Sequence, residues 1–122
     1  MNIVKMSCLF NSLSYFIQES SNNIRQKICD YIEQNKSLID GIETKDIIKY
    51  EENNYIAKMR NTNTWGGAIE IQSSCNIWKC KIIVHNRRDK KNTNIEFIPV
   101  SEIIENTFEL EWTGGHYEPV RK

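Results

Sequence analysis

The spacing of apolar residues changes along the chain, from a helical period in the first part to alternation in the last. Apolar residues recurring every three or four positions are typical of helices that bury one face. They predict four helical segments, at residues 8–19, from about 20 to about 36, 44–59 and 68–78. Ser20, Ser21 and Asn22 are candidate N-caps of the second segment, and Thr44 of the third. Residues 61–67 have the composition of a loop.

The last part of the chain has the pattern of strands. Residues 80–85 are almost continuously apolar, which predicts a strand buried on both faces. Residues 95–100 predict a second strand that Pro99 ends or places at an edge. Residues 108–112 alternate apolar and acidic positions, and residues 116–120 form a last short strand after Gly114 and Gly115. Helices followed by strands predict an α+β domain with N-terminal helices packed on a small, mainly antiparallel sheet.

Composition limits the class of protein. The 122 residues are enough for one domain with a single core, which we expect to span residues 1–122. Sixteen basic and sixteen acidic residues give no net charge, which argues against a dedicated nucleic-acid or membrane-surface binder. The chain has no apolar run long enough to span a membrane, and polar residues interrupt the stretch at 9–17 that could resemble a signal peptide.

The four cysteines do not have the spacing of a metal site. None forms a Cys-x-x-Cys pair, and Cys75 and Cys80 lack the histidines that would complete a zinc site, so we expect neither a metal nor another cofactor. A chain able to build its own core also has little need of disulfides. We therefore expect reduced thiols in an intracellular, cytoplasmic protein, with Cys29 and Cys75 filling the core.

Cys8 is a candidate nucleophile. It stands where a loop enters the first predicted helix, and the amides and dipole of a helix N-terminus favour a thiolate. The backbone amides before and at Cys8 could form an oxyanion hole. The alternative is a buried helix cysteine with no chemical role.

His116 is the better of two candidate bases. Gly114 and Gly115 before it permit close approach of another backbone. Glu118, two positions further on, shares a strand face with His116 and could fix its tautomer. The alternative is an exposed pair at a strand end. His85 ends an apolar strand beside a charged turn, and we expect a structural or exposed role for it.

Trp65, Gly66 and Gly67 are a third candidate feature. They could form a wall of a site, with the glycines allowing substrate or backbone to come close. They could equally form a helix entry turn anchored by the indole. The basic turn at residues 87–91 is interpreted as a solvated hairpin, because no aromatic residues are interleaved with its charges.

Three segments together resemble the ovarian-tumour (OTU) domain family of cysteine proteases. They are Cys-Leu-Phe-Asn-Ser-Leu at 8–13, Trp-Gly-Gly-Ala-Ile-Glu-Ile-Gln at 65–72 and Gly-His-Tyr-Glu-Pro-Val at 115–120. Their order and spacing match the family over nearly the whole chain. The resemblance implies a papain-like fold of the OTU type and cleavage of ubiquitin or ubiquitin-like modifiers after their terminal Gly-Gly.

The resemblance also implies roles for individual residues. Cys8 is the nucleophile, His116 the base, and Glu118 stands where the family carries an Asp or Asn that orients the histidine. Backbone groups of residues 5–8 (Lys5, Met6, Ser7, Cys8) form the oxyanion hole. The implied substrate channel is formed by Trp65, Gly66, Gly67, Gly115 and Tyr117. The expected partners are ubiquitin or a ubiquitin-like protein and its conjugates, without nucleic acid or membrane, and the expected state is a monomer.

One departure from the family pattern concerns the nucleophile loop. The family carries Asp-Gly-x-Cys where this chain has Lys5-Met6-Ser7-Cys8. The departure motivates an alternative function, a catalytically weak or inactive OTU-like module that binds ubiquitin. The short domain is typical of viral or bacterial-effector versions, for which the compartment is the host cytoplasm.

Overall fold

The computed structural model describes residues 6–88 and 93–121. Its helices are α1 (Cys8–Ile17), α2 (Ser21–Glu33), α3 (Thr44–Ile48), α4 (Tyr55–Met59) and α5 (Ala68–Trp78). Its strands are β1 (Cys80–Asn86), β2 (Asn94–Phe97), β3 (Asn106–Trp112) and β4 (Tyr117–Pro119). The α+β order predicted from the sequence is therefore confirmed.

The two first helices follow from local sequence signals. Helix α1 begins at Cys8, as predicted, and buries its apolar face from the first turn. Helix α2 is capped by Ser20, whose hydroxyl accepts a hydrogen bond from the backbone N–H of Asn23 at 3.1 Å. A serine hydroxyl in this position satisfies an amide that the helix itself cannot pair.

The third predicted segment was wrong as a single helix. The chain forms two short helices, α3 and α4, separated by residues 49–54 with Asn54 in a left-handed conformation. Thr44 is not the cap but the first residue of α3; it is buried, and its hydroxyl donates to the carbonyl of Lys36. Its side chain therefore attaches α3 to the start of the loop that follows α2.

The sheet is mixed, with strand order β2-β1-β3-β4. The outer pairs, β1 with β2 and β3 with β4, are antiparallel, in agreement with a mainly antiparallel sheet. The central pair is parallel, with Cys80 opposite Asn106 and Val84 opposite Leu110. The chain reaches this arrangement by passing through the edge strand β2 before it returns to the other side of β1.

The faces of the sheet differ from the prediction at β1. Only one face is fully buried, with Cys80, Ile82 and Val84 in the core. The other face is partly exposed, and Lys81 forms an ion pair across to Glu96 at 2.8 Å. Strand β2 is an edge strand that ends before Pro99, as predicted, and β4 is shorter than residues 116–120.

The core lies between the helices and the buried face of the sheet. It contains residues from all the longer elements, including Leu9, Phe10, Leu13, Ile24, Ile28, Ile71, Ile82 and Leu110. Cys29 and Cys75 are fully buried there, as predicted, and burial raises the pKa of the Cys29 thiol to about 11. Within the described residues, no helix has the length and apolar character needed to cross a membrane.

Candidate active site

Cys8 lies where the helical layer meets the last strand of the sheet. As the first residue of α1 it is followed by Leu9 and Phe10, which are buried in the core and fix the start of the helix. The residue is buried, with 5% of its surface exposed. The backbone N–H of Tyr117 donates to its sulfur, with 3.4 Å between N and Sγ. The fold therefore brings the thiol against the residue that follows His116.

A second contact joins the same two elements. The hydroxyl oxygen of Ser12 lies 3.1 Å from the carbonyl oxygen of Tyr117 and 2.8 Å from that of Cys8. Helix α1 and strand β4 are thus joined through both backbone polar groups of Tyr117, its N–H and its carbonyl. The serine belongs to the segment that resembles the family, but no pattern in the sequence assigns it a role.

The predicted pair of His116 and Glu118 is formed. His116 Nε2 lies 3.2 Å from Glu118 Oε1, with the side chains 43% and 65% exposed. A carboxylate can only accept hydrogen bonds, so in the neutral imidazole this contact places the proton on Nε2. Nδ1 then carries the free lone pair, which is the state required of a base.

A cavity of about 100 Å³ opens beside the thiol. It is lined by Cys8, Trp65, Gly66, Trp112, Gly114, Gly115 and Tyr117. The structure thus brings Cys8 together with four of the five predicted channel residues. Gly67 instead faces a neighbouring cavity that Tyr55 and Glu70 also line. Trp112 and Gly114 were not predicted as site residues; Trp112 reaches the site because it stands opposite Tyr117 in the sheet.

The wall at Trp65 and Gly66 rests directly on α1. A Cβ built on Gly66 would lie 2.8 Å from Leu9 Cδ2 and 2.8 Å from Phe10 Cζ. Only a residue without a Cβ permits this approach, because both neighbouring side chains are fixed in the core. A Cβ on Gly67 would meet no atom within 4 Å. The close backbone approach inferred from the two glycines therefore applies to Gly66.

A buried carboxylate holds the other end of this wall. Glu70 Oε1 accepts from the N–H of Gly67 at 2.7 Å, and Oε2 accepts from the Tyr55 hydroxyl at 2.7 Å. Burial raises the pKa of the Glu70 carboxyl, although the two hydrogen bonds oppose the rise. Burial and the adjacent carboxylate also raise the pKa of Tyr55. Glu70 thus fixes the start of α5 immediately after Trp65 and Gly66.

A buried arginine joins the nucleophile loop to residues 59–64. Arg25 is 1% exposed, and its guanidinium donates to the carbonyls of Met59 and Thr64 at 2.8 Å each and to the Ser7 hydroxyl at 3.3 Å. Burial lowers its pKa. Ser7 precedes α1 but does not cap it; its hydroxyl lies 3.5 Å from the carbonyl oxygen of Thr62. The loop before Cys8 is thus tied to the loop before Trp65.

The remaining candidate residues are Lys5, Met6, Ser7 and His85. Met6 and Ser7 lie beside Cys8 in the chain, whereas Lys5 lies outside the described residues. His85 has a structural position on the open face of the sheet, with Nε2 2.8 Å from Glu109 Oε1 and Nδ1 2.9 Å from Asn94 Oδ1. In residues 6–88 and 93–121, no three His, Cys, Asp or Glu residues lie together as metal ligands would.

A thiol at the start of a buried helix, held against a strand next to a histidine–carboxylate pair, is the arrangement of a cysteine-nucleophile hydrolase. The chain belongs to the OTU-like cysteine protease family, whose model matches residues 7–117. The family resemblance of the three sequence segments is thereby confirmed.

Individual relatives agree with this assignment. The chain is 26% identical over 123 residues to the ubiquitin thioesterase OTU1 of Danio rerio, covering 95% of this chain and 38% of that protein. It spans about a third of the length of the curated relatives it matches.

Solved structures share its fold. An OTU domain in complex with ubiquitin matches with a TM-score of 0.74 at 22% identity, over 93% of this chain and 62% of that one. An OTU deubiquitinase from Wolbachia pipientis wMel bound to ubiquitin matches with a TM-score of 0.64 at 18% identity, over 96% and 90% of the two chains. The papain-like fold of the OTU type, predicted from the resemblance, is confirmed.

The two adjacent glycines give a matched test of the wall. Gly66→Ala is expected to lower the free energy of unfolding by about 1–3 kcal/mol, because the new methyl group must displace Leu9 or Phe10 within the core. Gly67→Ala has open space and is expected to lose less than about 1 kcal/mol. Urea denaturation of both variants measures the difference, and equal losses would contradict the packing described.

Glu70 makes a prediction about pH. Because its pKa is raised in the folded state, the folded chain binds more protons than the unfolded chain above the ordinary glutamate pKa of about 4.3. The contribution of Glu70 to stability therefore decreases as the pH rises through this window to the raised value. Glu70→Gln does not titrate, so wild type should lose stability relative to this variant as the pH rises above about 4.3. Urea denaturation across that range measures the effect, and a constant or growing advantage of wild type would refute it.

Proposed function

We propose that this chain is a thiol isopeptidase that removes ubiquitin or a ubiquitin-like modifier from proteins or from modifier chains, with residues 1–122 acting as one catalytic domain. The observation that carries the proposal is the contact between Cys8 Sγ and the N–H of Tyr117 in a chain of the OTU-like cysteine protease family. That contact joins the candidate nucleophile to the strand residue that directly follows the candidate base.

In the proposed reaction His116 accepts the proton of the Cys8 thiol. The Nε2 contact to Glu118 leaves Nδ1 as the accepting atom and orients the ring. Glu118 is mostly exposed, so its charge is screened by solvent and its main contribution is to fix the tautomer and direction of the imidazole. These are the roles of a base and of the residue that orients it.

The thiolate then attacks the carbonyl carbon at the end of the modifier. The electrons of the carbonyl move to its oxygen, and backbone amides at residues 5–8 are the proposed donors that stabilise this oxyanion. Collapse of the intermediate breaks the isopeptide C–N bond, and protonated His116 gives its proton to the departing lysine amine. Water hydrolyses the resulting thioester and regenerates the thiol.

The shape of the cavity supports a substrate segment with little side-chain volume. Gly66, Gly114 and Gly115 contribute no side chains to its lining, while Trp65 and Trp112 contribute flat aromatic ones. A narrow site of this kind fits an extended Gly-Gly tail. Two proteins of similar fold were solved with ubiquitin, and the curated relatives are described as ubiquitin thioesterases.

The test uses ubiquitin carrying a C-terminal electrophile, together with di-ubiquitin and ubiquitin-like substrates. Wild type should form a covalent adduct and cleave at least one substrate, whereas Cys8→Ala should do neither. Cys29→Ala, which removes a thiol buried elsewhere in the core, is the control and should retain the adduct. His116→Ala should lower kcat by about 10²–10⁴, the usual contribution of a general base.

The other outcomes are equally informative. Binding of ubiquitin by titration, without an adduct or cleavage, would assign the chain to the class of non-catalytic binding modules. Absence of cleavage with every ubiquitin-like substrate, and of any adduct, would refute the proposed enzyme.

A further inference from the structure

Strand β4 lies at the edge of the sheet, so part of its backbone faces away from β3. The carbonyl of His116 accepts from Thr113 N at 3.1 Å, and Val120 N donates to the carbonyl of Glu109 at 2.9 Å. The backbone N–H and carbonyl groups of successive residues in a strand point to alternate sides. Those of Tyr117 and Pro119 therefore point away from β3. Pro119 has no N–H, so Tyr117 carries the outward-facing N–H of this three-residue strand.

Helix α1 supplies partners for both outward groups of Tyr117. Its N–H donates to Cys8 Sγ at 3.4 Å, and its carbonyl lies 3.1 Å from the hydroxyl oxygen of Ser12. Sulfur is a weak acceptor, so the first contact alone is a weak attachment. The hydrogen bond from the Ser12 hydroxyl to the Tyr117 carbonyl is the stronger of the two contacts.

The position of Ser12 makes this contact geometrically strict. Its side chain is buried, and its oxygen also lies 2.8 Å from the carbonyl of Cys8, one helical turn earlier. One hydroxyl proton is thus shared by the carbonyls of Cys8 and Tyr117. The hydroxyl oxygen of Ser12 therefore sets the distance between Cys8 and Tyr117.

We propose that Ser12 is a positioning residue, which holds β4, the strand directly after His116, in register with Cys8 so that the imidazole reaches the thiol. The proposal rests on the function proposed above, because it assigns Ser12 a role in the proton transfer between those two residues. Ser12 acts through His116 and contacts no reacting atom. Loss of its hydroxyl frees the carbonyl of Tyr117 and lets β4 move relative to α1.

The matched control is Ser74. Its hydroxyl is buried in α5 and donates to the carbonyl of Glu70 at 2.8 Å, the same one-turn contact that Ser12 makes to Cys8. The contact that distinguishes the two serines is the one from Ser12 to Tyr117. Ser12→Ala and Ser74→Ala therefore both lose a buried helical hydroxyl, and thermal unfolding shows how far each is destabilised.

The expected result is a selective loss of turnover. Ser12→Ala should lower kcat on a ubiquitin substrate about tenfold with little change in KM, because misplacement of a catalytic group affects the chemical step. Ser74→Ala should keep the wild-type kcat. Ser12→Thr, which retains the hydroxyl and its contact to the helix, should restore most of the rate.

A double variant tests whether Ser12 acts through His116. If it does, adding Ser12→Ala to His116→Ala should produce no further loss beyond about twofold, since coupled residues are not additive. A loss of kcat in the double variant equal to the product of the two single losses would overturn the proposal. So would a wild-type kcat in Ser12→Ala, or an equal fall in Ser74→Ala.

Alkylation of Cys8 by iodoacetamide, followed by mass spectrometry of its peptide, needs no ubiquitin. His116→Ala should slow it most, Ser12→Ala should slow it to a smaller extent and Ser74→Ala should not, because the thiolate is the reacting form. Slowed alkylation in a chain that cleaves no modifier would leave the role of Ser12 standing and remove the proposed function. Cleavage of a modifier by wild type, with an unchanged alkylation rate and kcat in Ser12→Ala, would remove the role of Ser12 and leave the proposed function standing.

Discussion

The arrangement of the site depends on how the outward-facing backbone groups of the edge strand β4 are hydrogen-bonded. An edge strand leaves backbone polar groups without strand partners, and proteins must cover or satisfy them. Here the first two turns of α1 do so, with the sulfur of Cys8 and the hydroxyl of Ser12 on the two polar groups of Tyr117. A requirement of sheet construction is thus met by the residues that form the candidate active site.

Two buried charged residues hold the loops around this contact. Arg25 is bonded to two backbone carbonyls and a serine hydroxyl, and Glu70 to a backbone amide and a tyrosine hydroxyl. A buried charge is tolerated when hydrogen bonds replace its hydration. Because such partners must keep their geometry, the two charges fix the loops before Cys8 and after Trp65 more strictly than apolar contacts would.

The parts of the fold that the sequence predicted well are those with local causes. Helix α1 and the Ser20 cap follow from apolar spacing and from cap chemistry within a few residues. The parallel pairing of β1 with β3 could not be read this way, because alternation identifies a strand but not its neighbour. Arg25 was missed for a similar reason: its partners at Met59 and Thr64 are 34 and 39 residues away.

The short length of β4 has a consequence for how the molecule loses function. The strand has three residues, pairs with another strand on one side only, and has no fully buried residue. Elements with few buried apolar contacts open at lower free energy than the whole domain unfolds. On heating, detachment of β4 would carry His116 away from Cys8 while α1, α2 and the central strands stay folded. For the proposed enzyme, inactivation would therefore precede melting, and the thermal limit of activity would report the attachment of one small strand rather than the stability of the domain.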